Sequence, residues 1–350
     1  MNLRPGGRSW WRHLTELAAP QKRLRLVADK RGSLMVSRLY RLVASLGCML
    51  VANGLGLTVA DAAQKVSSPD CNRRCLLEFL QTYTESLLDN DTSRIRVAQS
   101  LRATSNGVDV QLGKGEVWGL AKRMPYRQAF VDPVTGAAIF LGTVTNAPTN
   151  QGERWWFYML RLKVVAKQVT EIEEISYDGM LRQTPASKLV QADRIYDAVL
   201  PQNEQVSRSE LIATANKYFD VVSGTLDYHD VPWHPECSRL EDALLTVNQP
   251  DSPGSCAGEF KNPRIKWIVK NRRVYIADVE RGVVIAIANF TSPPEYPNNN
   301  ASVVFEVFKI QDGLIRHIEA MFRGDSSMKS SIWPDLPPET PAKRADRSAR

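Results

Sequence analysis

The residues best suited to chemistry crowd into positions 227–242, DYHDVPWHPECSRLED, where two of the chain's four histidines lie among five carboxylates, one arginine and one cysteine. Three readings fit such a set. A metal site needs several ligands converging, but His229 and His234 are separated by Pro232 in a stretch broken again at Pro235, so no helical face aligns them. No metal and no cofactor is therefore expected. An acid–base site needs a group titrating near neutrality, which His234 or Glu241 supplies, with Arg239 as anion partner and Asp278, from a later strand, as a second carboxylate. The third reading is a polar loop, with Arg239 and Glu241 as a structural ion pair and the histidines in water.

The first half has no histidine after the N-terminal segment, so it lacks the residue most easily tuned for proton transfer. It offers aromatics instead. Core packing is the default for these; the functional alternative is a ligand set of Trp118, Tyr126 and Trp155, with Asp132 or Tyr126 as its polar handle, which Tyr218 on a second-half helix joins. Trp155 and Trp156 are consecutive on a strand pattern, so one faces inward and the other outward. His317 and Glu319 share a strand face and are expected to face solvent.

The elements that must hold these residues recur. CLLEFLQTYTESLLDND carries apolar residues at helical spacing, and SRSELIATANKYFDVVSG does the same behind a capping box, Ser207 with Glu210. FVDPVTGAAIFLGTV parallels IADVERGVVIAIANF, each an acid, a turn closed by Gly and a β-rich run. WFYMLRLKVVAKQVTEIEEI parallels SVVFEVFKIQDGLIRHIEAM, each a strand–turn–strand unit with QDG as turn chemistry in the second. Both halves thus read as a helix, a variable polar region and antiparallel strands, with an insertion in the second half at the cysteine-bracketed loop.

Charge and cysteines point to export. The net charge is +7, but residues 1–62 hold ten Lys or Arg against three acids, so the rest of the chain is neutral. Nucleic acid is not an expected partner. Arg38 and Arg41 precede the apolar run LVASLGCMLVANGLGLTVA, and ADAAQ follows as a cleavage-like site, which together read as a signal peptide. Residues 1–62 are assigned to that segment, with 1–34 as an extension before Met35. The cleaved protein is expected to be periplasmic or secreted and free of the membrane. Four cysteines then remain. Cys237 and Cys256 bracket a short Pro/Gly-rich segment and are expected to pair. For Cys71 and Cys75 distance permits a bond, while side-chain direction is marginal.

A long helix leading into a curved antiparallel sheet that ends in DGLIRHIE resembles the α+β cone fold of ketosteroid isomerase, SnoaL-like cyclases and nuclear transport factor 2. ANKYFD (215–220), HPECSRLED (234–242), RRVYIADVERGVV (272–284) and SNGVDVQLGKGEVWG (105–119) resemble an uncharacterised bacterial and fungal family of exported proteins with two SnoaL-like domains. One departure is Ala243, where a glycine is expected after Glu241 and Asp242. The resemblance implies a first domain at 66–180 and a second at 207–323; residues 181–206 read as a connector, and the Pro-rich, charged stretch 324–350 as a disordered tail. It leaves two functions open. One is a cofactor-independent lyase, isomerase or hydratase acting on a small apolar or aromatic molecule; the other is a non-catalytic binding or interaction module. A homo-oligomer is compatible with either. The motifs of serine hydrolases, P-loop nucleotide enzymes, dinucleotide enzymes and zinc proteases do not occur.

Overall fold

A computed structural model describes residues 70–333 except 151, 179–183, 251, 253, 262–265, 297–300, 326 and 328–330. The signal-peptide assignment, its extension and most of the tail lie outside these residues. The chain is a mixed α+β protein built on two six-stranded sheets.

Helix α1 (Arg73–Asp89) begins where the Asn72 side chain accepts from the Cys75 amide and ends at Asn90 in the left-handed conformation. Its buried stripe of Leu76, Leu77, Leu80, Tyr83 and Leu87 shares one core with Phe140, Trp156, Tyr158 and Leu160. The strands that follow are β1 (Val97–Ser105), β2 (Val108–Asp109), β3 (Arg127–Asp132), β4 (Ala137–Thr145), β5 (Trp155–Val165) and β6 (Gln168–Tyr177). They are ordered β2-β1-β6-β5-β4-β3. Helix α2 (Arg208–Val222) has its capping box formed by Ser207 and Glu210. After it come β7 (Trp233–Glu241), β8 (Leu244–Leu245), the short helix α3 (Cys256–Phe260), β9 (Ile268–Asp278), β10 (Val283–Thr291), β11 (Ala301–Gln311) and β12 (Leu314–Gly324). Their order, β8-β7-β12-β11-β10-β9, matches that of the first sheet.

The sheets are not wholly antiparallel, as the sequence reading had them. β1 pairs with β6, and β7 with β12, in parallel. The hairpin rule governs consecutive strands, whereas these neighbours are joined by a crossover through the rest of the sheet. The QDG turn has Asp312 and Gly313 both at positive φ, as a two-residue turn of this kind requires. Asn106 and Gly107 do the same between β1 and β2, but at the matching β7–β8 turn only Asp242 is left-handed and Ala243 is not. Gly282 cannot be replaced without movement, because a Cβ there would lie 1.9 Å from the Ile310 carbonyl oxygen.

The two sheets pack face to face. Ile139, Leu141, Phe157 and Met159 of the first share a core with Ile285, Ile287, Phe305 and Met321 of the second. α2 covers the opposite face of the second sheet through Leu211, Ala215, Tyr218 and Phe219. Polar ties cross the same seam. Arg273 donates to both oxygens of Glu173 at 2.9 and 3.0 Å, and Glu173 also accepts from Arg161 at 2.9 Å. Both arginines are fully buried, so the shared carboxylate and the ring of Tyr275 are what make their burial tolerable. Trp333, from the segment expected to be disordered, is buried: its indole N–H donates to Thr104, and Arg102 and Arg161 lie over its ring.

Candidate functional site

The opening stretch folds as a short 3-10 turn followed by β7, and strand alternation sorts its side chains. Cys237, Arg239 and Glu241 are buried on the face that α2 covers. Cys237 is bonded to Cys256 at the start of α3. That bridge holds α3 against β7, and two of its residues reach the strand's inner face.

Arg239 is the hub. It pairs with Glu241, donates to Glu259 Oε1 at 3.0 Å and to the Tyr218 hydroxyl at 3.0 Å, and stands 3.8 Å from Glu306. Burial alone would lower its pKa, but Glu241, Tyr218, Glu259 and Glu306 together raise it well above the ordinary value, so the guanidinium stays charged. Glu306, on β11, points from the sheet toward α2 between Val304 and Phe308. Burial pushes its carboxyl up; Arg239 and the Tyr218 hydroxyl favour the anion, Glu241 and Glu259 oppose it, and the group titrates at about 7. Neither oxygen has a closely placed hydrogen-bond partner. A carboxyl that changes protonation near neutrality, beside a phenol and a fixed cation, can take a proton from a carbon acid and return it.

The matching place in the first half is occupied differently. Glu174 on β6 accepts at one oxygen from the Tyr83 and Tyr158 hydroxyls and the Trp118 indole, at 3.0, 2.6 and 3.0 Å. Burial raises its pKa, and these three donors pull the other way without cancelling it. A Cβ added to Gly115 would come within 1.9 Å of the other oxygen. The carboxyl is enclosed by its own chain.

A third carboxyl lies in the seam between the sheets. Glu319 accepts from the Tyr126 hydroxyl at 2.5 Å and titrates at about 7, raised by burial and Asp193 and lowered by Tyr126. His317 is beside it, its Nδ1 on Ser238 and its ring 5.5 Å from that of Tyr196. Burial depresses its pKa and keeps it neutral, with Asp193 acting in the opposite sense. The expectation that His317 and Glu319 face solvent is thus corrected. The second sheet is covered on both faces, so its alternate positions have no water to face.

Among the residues singled out by sequence, the structure unites Arg239, Glu241 and Tyr218. His234 is half-buried near the start of β7, its Nδ1 accepting from the Glu236 amide. His229 is exposed and bonded to Asp227. Asp278 lies away from them and binds Arg73 at 2.6 Å. Asp132 accepts from Arg208 and from the Ala277 amide. These two aspartates form a reciprocal pair: the start of each helix is tied to the end of a strand in the other sheet. Trp118 and Tyr126 are engaged by Glu174 and Glu319, and Trp155 is half-buried beside the core between the sheets. No three-residue cluster of metal-ligand type occurs among the described residues.

Sequence reasoning missed Glu306, Glu259 and Glu174. The available signal was a lone acid at an inward strand position, as in VVFEVF, where Glu306 alternates with Val304 and Phe308.

Residues 204–322 match a family described as a domain of unknown function, DUF8021. A structure named as a putative ketosteroid isomerase from Kribbella flavida is similar over 39% of this chain and 93% of its own, at 14% identity and a TM-score of 0.26. AclR, a putative hydroxylase from Streptomyces galilaeus, is similar over 36% of this chain and 89% of its own, at 15% identity and a TM-score of 0.26. No curated protein matches the chain.

Proposed function

We propose that this is an exported protein of two tandem SnoaL-like units, 66–180 and 207–323, and that the second performs cofactor-independent acid–base chemistry on a small apolar or aromatic molecule. The observation that carries this reading is the convergence of Glu306, Arg239 and Tyr218 beneath the segment tied down by Cys237–Cys256. Equal strand order in the two sheets supports the tandem arrangement, and two disulfides among the described residues agree with an oxidising compartment.

In this chemistry Glu306, as the carboxylate, takes a proton from carbon next to a carbonyl. The electron pair moves to the carbonyl oxygen, where Arg239 or the Tyr218 hydroxyl stabilises the enolate. Return of the proton to a different carbon gives an isomerase; departure of a leaving group from the neighbouring carbon, which takes up the proton held by Glu306, gives a lyase. Either route returns Glu306 to the carboxylate.

The test is hydrogen–deuterium exchange of small aryl ketones in D2O, followed by NMR with the wild-type protein and Glu306→Gln. Wild-type exchange should rise through pH 7 as Glu306 ionises, and the variant should lose it. Equal exchange by both, or none by the wild type, overturns the proposal.

A second reading has its own support. A cavity bordered by Arg73, Phe130, Tyr196 and Asp278 has a volume of about 30 Å3, the room of one or two waters rather than of a substrate. The interior around Glu174 is filled by its own aromatics. A non-catalytic binding or interaction module accounts for this packing, and fits the first unit better than the second.

A further inference from the structure

The second interior is closed by two consecutive residues, Glu259 and Phe260, at the end of α3. Each oxygen of Glu259 has a donor: Arg239 at 3.0 Å and the Thr246 hydroxyl at 3.2 Å. Phe260 lies face to face with Trp233, rings 5.6 Å apart and 4° from parallel, and meets the edge of Tyr218 at 5.4 Å. A carboxylate and an aromatic ring thus sit within one interaction sphere of the same guanidinium, whose carbon is 5.9 Å from the ring centre.

Glu259 is the superfluous member of this group. Arg239 already has Glu241 as a close partner and Glu306 nearby, so Glu259 is a third acid around one cation. It opposes ionisation of Glu306. Its side chain is 22% exposed, against 4% for Glu241 and 1% for Glu306, so it is the acid of this group with a path to water, and Glu241 stays behind as a partner of Arg239. The Cys237–Cys256 bond keeps the displaced helix beside the opening.

We infer that Glu259 and Phe260 hold the place of a ligand, and that the ligand is a short arylalkanoate. Its ring takes the place of Phe260 against Trp233 and Tyr218, and its carboxylate bridges Arg239 and Thr246. Exchange of one carboxylate for another conserves the charge around Arg239, so the ligand replaces the plug without leaving the cation bare. The inference rests on the reading of the second interior as a ligand site and gives that site a ligand class. A plug tethered through a few residues competes at an effective concentration in the millimolar range, which weakens binding to the intact protein by occupancy alone.

The experiment is calorimetric titration of the full chain with 3-phenylpropionate, using 3-phenylpropanol as the uncharged control. Glu259→Ala/Phe260→Ala should bind the acid at least about tenfold tighter than the wild type, and Thr246→Val in that background should weaken it again. The alcohol should bind poorly to every form. Should the double variant fail to fold, Glu259→Gln keeps the helix and the side-chain shape, and it too should bind the acid more tightly than the wild type. The inference is overturned by equal affinity in wild type and plug variants, or by an alcohol that binds as well as the acid. Binding without Glu306-dependent exchange would remove the acid–base reading and leave this one standing. Exchange without binding of the acid would do the reverse.

Discussion

Replacing Glu306 by Gln should make the protein more stable above neutrality and change its pH dependence in a calculable way. In the native state the carboxyl titrates at about 7, against an ordinary value of 4.5. Below pH 4.5 it is protonated both folded and unfolded, so it contributes no slope. Between 4.5 and 7 the unfolded chain releases the proton while the folded protein keeps it. The native state then holds more protons, and stability falls as pH rises. Integrated over that window, the loss is about 3 kcal/mol, and it levels off above pH 7. Gln cannot ionise, so the variant lacks this loss. Glu319, raised to about 7, and His317, lowered by burial, act on the slope in opposite senses, but both remain in the variant and cancel in the difference. Urea denaturation of both proteins at half-unit steps from pH 4.5 to 8.5 provides that difference. The variant's advantage should grow by about 3 kcal/mol across the window. A difference that stays flat from pH 5 to 8 would show that Glu306 ionises as an ordinary glutamate, and the site would lose its proton carrier.

Glu173→Gln should destabilise the fold by about 3–5 kcal/mol at neutral pH, because it strips a shared carboxylate from two fully buried arginines; the midpoint of denaturation checks it. Replacing Cys237 and Cys256 by Ser should cost about 3 kcal/mol, the closure of a loop of that size. The same change should raise the proteolysis rate near α3 more than at α1, which limited digestion with mass spectrometry will show.

What could be read beforehand was whatever local spacing controls. The α2 capping box, the QDG turn and the Cys237–Cys256 bridge each involve residues close in sequence, and all three are present. Asp132 and Asp278 were legible as acids at strand ends, but not as helix ties. Their partners Arg208 and Arg73 are 76 and 205 positions away. The alternation that places His317 and Glu319 on one face was equally plain, yet what covers that face is the other sheet. Glu306 was hidden for a different reason. Its inward position follows from β alternation, but its significance depends on Tyr218 and Arg239 arriving from a helix and a non-consecutive strand.

The packing of sheet on sheet bears on how this protein can be handled. A recombinant fragment cut to residues 204–322, the stretch that matches the family, would present Ile285, Ile287, Phe305, Val307 and Met321 to water, together with an Arg273 stripped of its counter-ion. Such a fragment would be a sticky half-molecule, prone to dimerise through the bared face or to precipitate. The stretch that matches the family and the unit of solubility therefore differ in this protein, and expression work has to begin from both halves together.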